Sequence, residues 1–147
     1  MIAPTRALAP DVTTDLSEGL KKYLDESTVF ATAATISPTG EPHLTVVWIE
    51  RDGDDLLFST TRTRAQGRNI VRDPRVTILV SPPDNPYVYA EIRGTATVTD
   101  DPERVLPNRL SRKYTGQDYA DFNPSAPDDS AERIIVRITP TKVVSRL

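Results

Sequence analysis

The segment that decides the fold is Ser59-Thr60-Thr61-Arg62-Thr63-Arg64-Ala65-Gln66-Gly67-Arg68-Asn69-Ile70-Val71-Arg72-Asp73-Pro74-Arg75, which places five arginines in 14 positions of a chain with a formal net charge of −3. An apolar strand is predicted to end in this segment. A helix of two or three turns follows it and ends at Asp73-Pro74. Arg64, Arg68 and Arg72 recur every four residues and share one helical face. The hydroxyls at the strand end, the free N–H groups at the start of the helix and the guanidinium groups of the arginines all favour the binding of phosphate. The segment predicts a phosphate site, although a solvated basic face has the same spacing.

Segments rich in β-branched residues flank this helix on both sides. The predicted strands are 28–36, 43–51, 56–61, 75–80, 87–99 and 133–139, with a short extension at 142–144. Turn residues separate consecutive strands, and no β-α-β alternation appears, so a Rossmann sheet is disfavoured. The pattern predicts a mainly β fold with peripheral helices, a six-stranded antiparallel barrel.

Two further helices and one long loop complete this prediction. Asp15 and Glu18 stand three apart like a capping pair before the first helix, and Asp101-Pro102-Glu103 has the order of cap, proline and acid that begins another. Residues 115–132 form a polar loop that is long for a compact domain and indicates a functional or partner contact. Gly94 in the fifth strand predicts a bulge or a close backbone approach.

Composition excludes several kinds of chemistry. The chain of 147 residues has the length of one domain, which we divide into a leader (1–14) and a single domain (15–147). Without cysteine there is no disulfide, thiolate nucleophile or zinc–cysteine site, and with one histidine no multi-histidine metal site, so we predict no metal. No signal-like or 20-residue apolar segment is present, so we expect a cytoplasmic protein without membrane contact.

The aromatic residues and the single histidine each allow more than one interpretation of their role. Trp48, the only tryptophan, suits core packing and stacking along a cofactor ring equally. Tyr87 and Tyr89 share one face of the predicted fifth strand and suit an interface or a pocket wall. His43 is more often a structural residue than a catalyst. No aromatic residue stands between 59 and 86, which disfavours a single-stranded nucleic-acid groove.

These motifs together resemble a known family. The resemblance is carried by Pro38-Thr39-Gly40-Glu41-Pro42, Phe58 to Thr61, Arg64 to Val76, Glu91 to Ala96, Lys113-Tyr114-Thr115-Gly116 and Ile138 to Val143. From about residue 15 to the C-terminus the chain is similar to the pyridoxamine 5'-phosphate oxidase-like split β-barrel proteins. Within them it resembles the branch of small actinobacterial proteins that use the deazaflavin coenzyme F-420.

The resemblance implies an FMN-binding-protein-like split barrel that forms a homodimer with cofactor sites at the interface. It implies that Thr45, Val47 and Trp48 border the cofactor ring. The residues implied at the phosphate region are Ser59, Thr60, Thr61, Arg64, Gln66, Arg68 and Asn69, and Tyr87 completes the predicted site. Gln66 stands where the family commonly has lysine, and Arg62 or Arg64 is expected to compensate for the lost charge.

The resemblance also implies the activity. We expect an oxidoreductase that uses coenzyme F-420 for hydride transfer to a small unsaturated or conjugated substrate, with no particular side chain assigned to catalysis. One alternative is an FMN-binding oxidoreductase or oxidase of the same fold. Another is a non-catalytic module that binds a cofactor or haem. The expected partners are a second copy of the chain and a small molecule, not a nucleic acid or a membrane.

Overall fold

Eight antiparallel strands form one sheet in the computed structural model, which describes residues 10–147. The strands are β1 (Asp11–Thr13), β2 (Ala31–Ile36), β3 (Pro42–Val47), β4 (Glu50–Asp52), β5 (Asp55–Thr61), β6 (Arg75–Val80), β7 (Ala90–Asp100) and β8 (Arg133–Ser145). The helices are α1 (Glu18–Glu26), α2 (Ala65–Arg72), α3 (Val105–Thr115) and α4 (Tyr119–Phe122). The strand order is β3-β2-β6-β7-β8-β5-β4, and β1 pairs with β8. The predicted mainly β, antiparallel class is therefore confirmed.

The sheet has more strands than the six predicted, for two reasons. The predicted strand 43–51 is interrupted at Trp48–Ile49, because the Tyr114 hydroxyl accepts a hydrogen bond from Ile49 N at 3.1 Å and Lys113 Nζ donates to Ile49 O at 2.8 Å. A backbone N–H that donates to a side chain is not available to a strand ladder. In addition, Asp11–Thr13 of the predicted leader pairs with Val143–Ser145. Leader residues 1–9 lie outside the described residues.

The bulge expected at Gly94 is present. The register between β7 and β8 shifts at Arg93/Gly94, where Gly94 faces Pro140 and Arg93 faces Lys142. A Cβ at position 94 would lie 2.5 Å from Thr139 O, so only glycine fits. A strand with a bulge also tolerates a proline, which has no N–H to donate. β8 therefore runs through Pro140 as one strand, not as the strand and separate extension predicted.

The fifth predicted strand begins three residues later than expected. The Tyr87 and Val88 N–H groups donate to the side chain and backbone oxygens of Asn85 at 3.3 and 3.2 Å, which makes this proline-rich segment a turn. β7 consequently starts at Ala90, and Tyr87 and Tyr89 lie outside the strand whose face they were predicted to share.

The helix starts differ slightly from the predicted ones. Ser17 rather than Asp15 caps α1, since its Oγ accepts from Leu20 N at 3.1 Å. α3 begins at Val105, but the buried Asp101 carboxylate accepts from Val105 N and Leu106 N at 2.9 and 3.0 Å, so the predicted acidic cap is present. The predicted loop 115–132 contains the short helix α4.

Two apolar clusters position the rest of the molecule. The larger fills the inside of the sheet and includes Phe58, Ile78 and Val136, all fully buried. The smaller lies under α3 and consists of Leu57, Leu106 and Leu110, with Trp48, Tyr114 and Ile135 packed against it. Leu57 and Phe58 are neighbours on β5 whose side chains point to opposite faces. β5 therefore separates the barrel core from the α3 side.

Candidate cofactor site

A cavity of 210 Å³ opens on the α3 side of β5. It lies between the end of β3, the middle of β5, the start of β8, and helices α3 and α4. The residues that line it are Phe30, Val46, Val47, Trp48, Ser59, Arg64, Pro107, Leu110, Tyr119 and Arg133. Of the predicted site residues, it brings together Val47, Trp48, Ser59 and Arg64.

The apolar wall is built around Trp48. Its ring stacks on Tyr114 with centroids 5.3 Å apart and planes 13° apart. Phe122 of α4 lies 5.4 Å from the Trp48 ring on a tilted plane, and Phe30 lies 5.9 Å from Tyr114. Trp48 is half-buried, so it packs on the smaller apolar cluster and also lines the cavity. Both roles considered for it are therefore compatible with its position.

Tyr114 and Lys113 fix the chain on both sides of Trp48. The Tyr114 hydroxyl donates to Val29 O at 2.9 Å and accepts from Ile49 N. Lys113 Nζ donates to Leu24 O and Ile49 O, each at 2.8 Å. Burial lowers the pKa of Lys113 and raises the pKa of Tyr114, since desolvation penalises the charged form of each group. These two residues position Trp48, and both belong to the Lys113-Tyr114-Thr115-Gly116 motif of the family resemblance.

The polar wall contains Ser59, Arg64 and Arg133. Arg133 is only 4% exposed, although it is an arginine. Its Nη2 donates to Asp129 Oδ2 at 2.6 Å, its Nη1 donates to Ser59 Oγ at 3.3 Å, and its guanidinium carbon lies 5.7 Å from the Tyr119 ring centroid. Sequence reasoning missed Arg133, because an isolated arginine at the start of a strand carries no spacing signal.

The arginines of the 59–75 segment divide into two groups. Arg62 pairs with Asp100 at 2.7 Å, and Arg75 pairs with Asp73 at 2.7 Å. The Arg75 side chain, helped by the Arg75 backbone N–H, lowers the pKa of Asp73 to about 2. Within residues 10–147, the three arginines on the predicted helical face form no ion pair: Arg64, which lines the cavity, Arg68, which donates to Thr63 O, and Arg72, which donates to Ile36 O.

The end of β5 and the start of α2 approach each other closely. Thr61 Oγ1 accepts from Arg64 N at 3.2 Å, so one predicted phosphate hydroxyl instead orders the turn into α2. A Cβ at position 67 would lie 1.9 Å from Thr61 O, so Gly67 allows α2 to pack against the end of β5. Thr60 is buried on the strand face of Phe58, opposite Ser59, and does not line the cavity.

The remaining predicted residues lie outside the cavity lining. Asn69 is buried and donates to Thr35 Oγ1 at 3.0 Å, which is a packing contact between α2 and β2. Tyr87 is 68% exposed, and Gln66 is half-buried in the first turn of α2. Thr45 shares a face of β3 with Val47, and its Oγ1 is buried without a hydrogen-bond partner among the described residues. The ligand roles predicted for these residues stay predictions.

Comparison with known proteins shows to which family this chain belongs. The model of the family described as pyridoxamine 5'-phosphate oxidase matches residues 16–146. The chain belongs to this family. The barrel is therefore its FMN-binding split barrel, as the resemblance implied. An F-420 reductase from Mycobacterium smegmatis is 33% identical, with 90% of this chain and 100% of that chain covered and a TM-score of 0.75.

Two further structures extend the comparison. A conserved hypothetical protein from Mycobacterium tuberculosis is 25% identical over 89% of this chain and 86% of its own, with a TM-score of 0.69. A pyridoxamine 5'-phosphate oxidase-related, FMN-binding protein from Nostoc punctiforme is 19% identical over 79% of this chain and 73% of its own, with a TM-score of 0.57, and shares the fold alone. The family comprises oxidoreductases that depend on coenzyme F-420 or FMN.

The residues at the cavity fit such a cofactor. An isoalloxazine or deazaflavin ring needs an apolar wall, which Val47 and Trp48 provide. Its anionic side chain needs cations and donors, and Arg64 and Arg133 line the same cavity. Buried polar atoms are normally hydrogen-bonded, and Arg133, which lines the cavity, has a buried Nε without a hydrogen-bond partner among the described residues. None of the helices in the described part of the chain could cross a membrane.

Proposed function

We propose that the protein is an oxidoreductase that binds coenzyme F-420 and transfers hydride to a small unsaturated or conjugated substrate. The observation that carries this proposal is one cavity lined both by the aromatic ring of Trp48 and by two arginines, Arg64 and Arg133. The 33% identity to an F-420 reductase supports the deazaflavin over FMN. When bound, the deazaflavin supplies hydride chemistry, which asks little acid–base chemistry of a chain with no cysteine and one histidine.

The protein's part is to bind and orient the cofactor and to exclude water from it. Trp48 cannot rotate freely, because it is stacked on Tyr114 and contacted by Phe122. A fixed ring surface orients a planar ligand and reduces the entropy lost on binding. Arg64 and Ser59 provide charge and a hydroxyl at the polar end. Phe30 lines the apolar end of the cavity, and Phe122 packs on Trp48.

We also propose that the protein is a homodimer in which the second copy covers the cavity. Leu44 and Val46 on the outer face of β3 are 63% and 66% exposed, and Phe30 beside them is 58% exposed. Val46 and Phe30 also line the cavity, so the apolar patch is continuous with the site. The cavity of 210 Å³ is smaller than the roughly 300–1,000 Å³ of common small-molecule sites, which is consistent with a site completed by a partner.

Cofactor titration tests the proposed function. Purified protein is titrated with coenzyme F-420 and, separately, with FMN, and cofactor and Trp48 fluorescence are recorded. We expect saturable quenching of Trp48 with F-420 at lower concentration than with FMN. Tighter FMN binding supports the FMN alternative, and binding of neither contradicts the proposal. Trp48→Phe is the control that removes the protein signal and keeps the apolar wall.

Light scattering tests the homodimer. We expect twice the chain mass for the wild type, a monomer for Leu44→Glu with Val46→Glu, and an unchanged mass for Thr99→Glu, an exposed threonine on β7. A wild-type monomer at micromolar concentration would contradict the proposed assembly.

A further inference from the structure

Arg133 has more hydrogen-bond capacity than the protein uses. A guanidinium carries five N–H donors. Two of them are used within the described residues, by Asp129 and Ser59, and Nε is buried with no partner. Leaving a buried donor unpaired is unfavourable, particularly for a charged group. Since Arg133 lines the cavity, its unused N–H groups can donate to an acceptor on the cavity's ligand.

The guanidinium is also held in place before any ligand arrives. Asp129, Ser59 and the Tyr119 ring contact it from the 116–132 segment, β5 and α4 respectively. A planar fork fixed in this way binds an oxyanion with little further loss of side-chain freedom. Arg68 and Arg72, in contrast, are exposed arginines that bond to backbone carbonyls.

The negative charge of Asp129 is shared between two arginines. Asp129 Oδ2 contacts Arg133, and Asp129 Oδ1 lies 3.3 Å from Arg104 Nε. Arg104 has a second carboxylate, Asp128, at 2.7 Å. Two arginines therefore face two carboxylates in this cluster, and Arg64 adds a further positive charge to the cavity wall. The two charged residues that line the cavity, Arg64 and Arg133, are both cations, which suits an anionic group.

We propose that Arg133 binds the anionic phospholactyl group of coenzyme F-420 and supplies the cation that Gln66 does not. This inference rests on the proposed function. Ser59, predicted at the phosphate region, touches Arg133 directly, whereas Gln66 lies outside the cavity lining. Arg62, one of the two expected compensating residues, does not line the cavity. Compensation therefore comes from Arg133 together with Arg64.

The test compares two ligands that differ by the phospholactyl group: the glutamate-free form of coenzyme F-420 and its riboside core, F-O. Their dissociation constants are measured by fluorescence for the wild type, Arg133→Gln and Arg133→Lys. We expect the wild type to prefer the phospholactyl form. Arg133→Gln should reduce this preference about 10- to 100-fold, as for loss of a charged hydrogen bond. Arg133→Lys should reduce this preference less than Arg133→Gln does, because the charge remains. It should still reduce it, because the planar fork of donors is lost.

Arg104→Gln is the matched control. It breaks the same ion-pair cluster through Asp129 but does not line the cavity, so the preference should stay within about twofold of wild type. Equal losses of the preference for the phospholactyl form in Arg104→Gln and Arg133→Gln would assign Arg133 to structure and overturn the inference. A preference equal to that of the wild type in both Arg133 variants would also overturn it. Arg133→Lys decides the matter if Arg133→Gln does not fold. Failure of the wild type to bind either ligand would instead contradict the proposed function.

Discussion

Positive charge lies in two regions of the molecule, each with one arginine at the cavity, that differ in burial and in ion pairing. The first is the α2 arginine face, formed by Arg64, Arg68 and Arg72, which is exposed and has no ion pair within residues 10–147. The second is Arg133 at the start of β8, which is buried and held by Asp129 and Ser59. An exposed cation is screened by water and salt, whereas a buried one retains its electrostatic strength. We therefore expect the α2 arginine face to attract anions and Arg133 to bind one in a defined orientation.

The largest effect is expected where the α2 region joins the barrel. Gly67→Ala places a Cβ 1.9 Å from Thr61 O, so the helix must move away from β5. Overpacking costs up to about 3 kcal/mol, and the better helix propensity of alanine offsets about 1, which leaves a net loss of roughly 2 kcal/mol in the free energy of unfolding. Urea denaturation measures it, with Gln66→Ala in the same turn as the control. An unchanged midpoint for Gly67→Ala would show that the contact is not tight.

A smaller loss is expected on the aromatic side of the cavity. Tyr114→Phe keeps the ring stacked on Trp48 but removes the hydroxyl that accepts from Ile49 N and donates to Val29 O. Leaving the buried, uncharged Ile49 N–H unpaired should cost about 1 kcal/mol, the lower end of the range for an unsatisfied buried group. Denaturation followed by Trp48 fluorescence measures this loss. The exposed Tyr87→Phe should change stability by less than about 0.5 kcal/mol, and equal effects for the two variants would contradict the positioning role of Tyr114.

Part of each region could be predicted from the sequence. Features that depend on local spacing were predictable, and features that depend on contacts distant in the chain were not. The α2 arginine face is a local pattern, because helical spacing places residues four apart on one side. Trp48 was expected at the ring through the family resemblance. Arg133 depends on contacts 74 residues away in the chain, at Ser59, and no local pattern encodes such a contact. Thr60 was placed at the phosphate with its neighbours, but strand alternation turns it toward Phe58 and the core.

The fold shows the same distinction. The bulge at Gly94 was predictable, since a glycine in a long strand marks a close approach. The interruption at Trp48–Ile49 was not, because it results from side chains of α3 that reach Ile49 from more than 60 positions away. Strand propensity alone continues through both residues.

A weaker effect is expected from restoring the family lysine. If Arg133 and Arg64 already supply the charge, Gln66→Lys should tighten coenzyme F-420 binding by less than about threefold, because a further cation would be repelled by its neighbours. A fluorescence titration measures the change, and Gln66→Met controls for side-chain length. Tightening of tenfold or more would contradict compensation.

The smallest effect concerns the end of α2. The pKa of Asp73 is lowered to about 2 from its ordinary 3.8 by Arg75. The stabilisation from this carboxylate is fully present above its unfolded pKa and is lost as the pH falls from about 4 to 2. The stability difference between wild type and Asp73→Asn should therefore shrink over that interval, as followed by urea denaturation at each pH. A difference that stays constant across it would contradict the ion pair.

The central claim is that buried Arg133 contributes more to cofactor binding than the exposed arginines do. The most direct measurement is the affinity for coenzyme F-420 of wild type, Arg133→Gln, Arg64→Gln and Arg68→Gln at low and high salt. We predict the largest loss for Arg133→Gln, with little dependence on salt, and the smallest for Arg68→Gln, with a loss that diminishes as salt screens it. A loss for Arg68→Gln as large as that for Arg133→Gln, or an Arg133→Gln loss that disappears at high salt, would contradict this account.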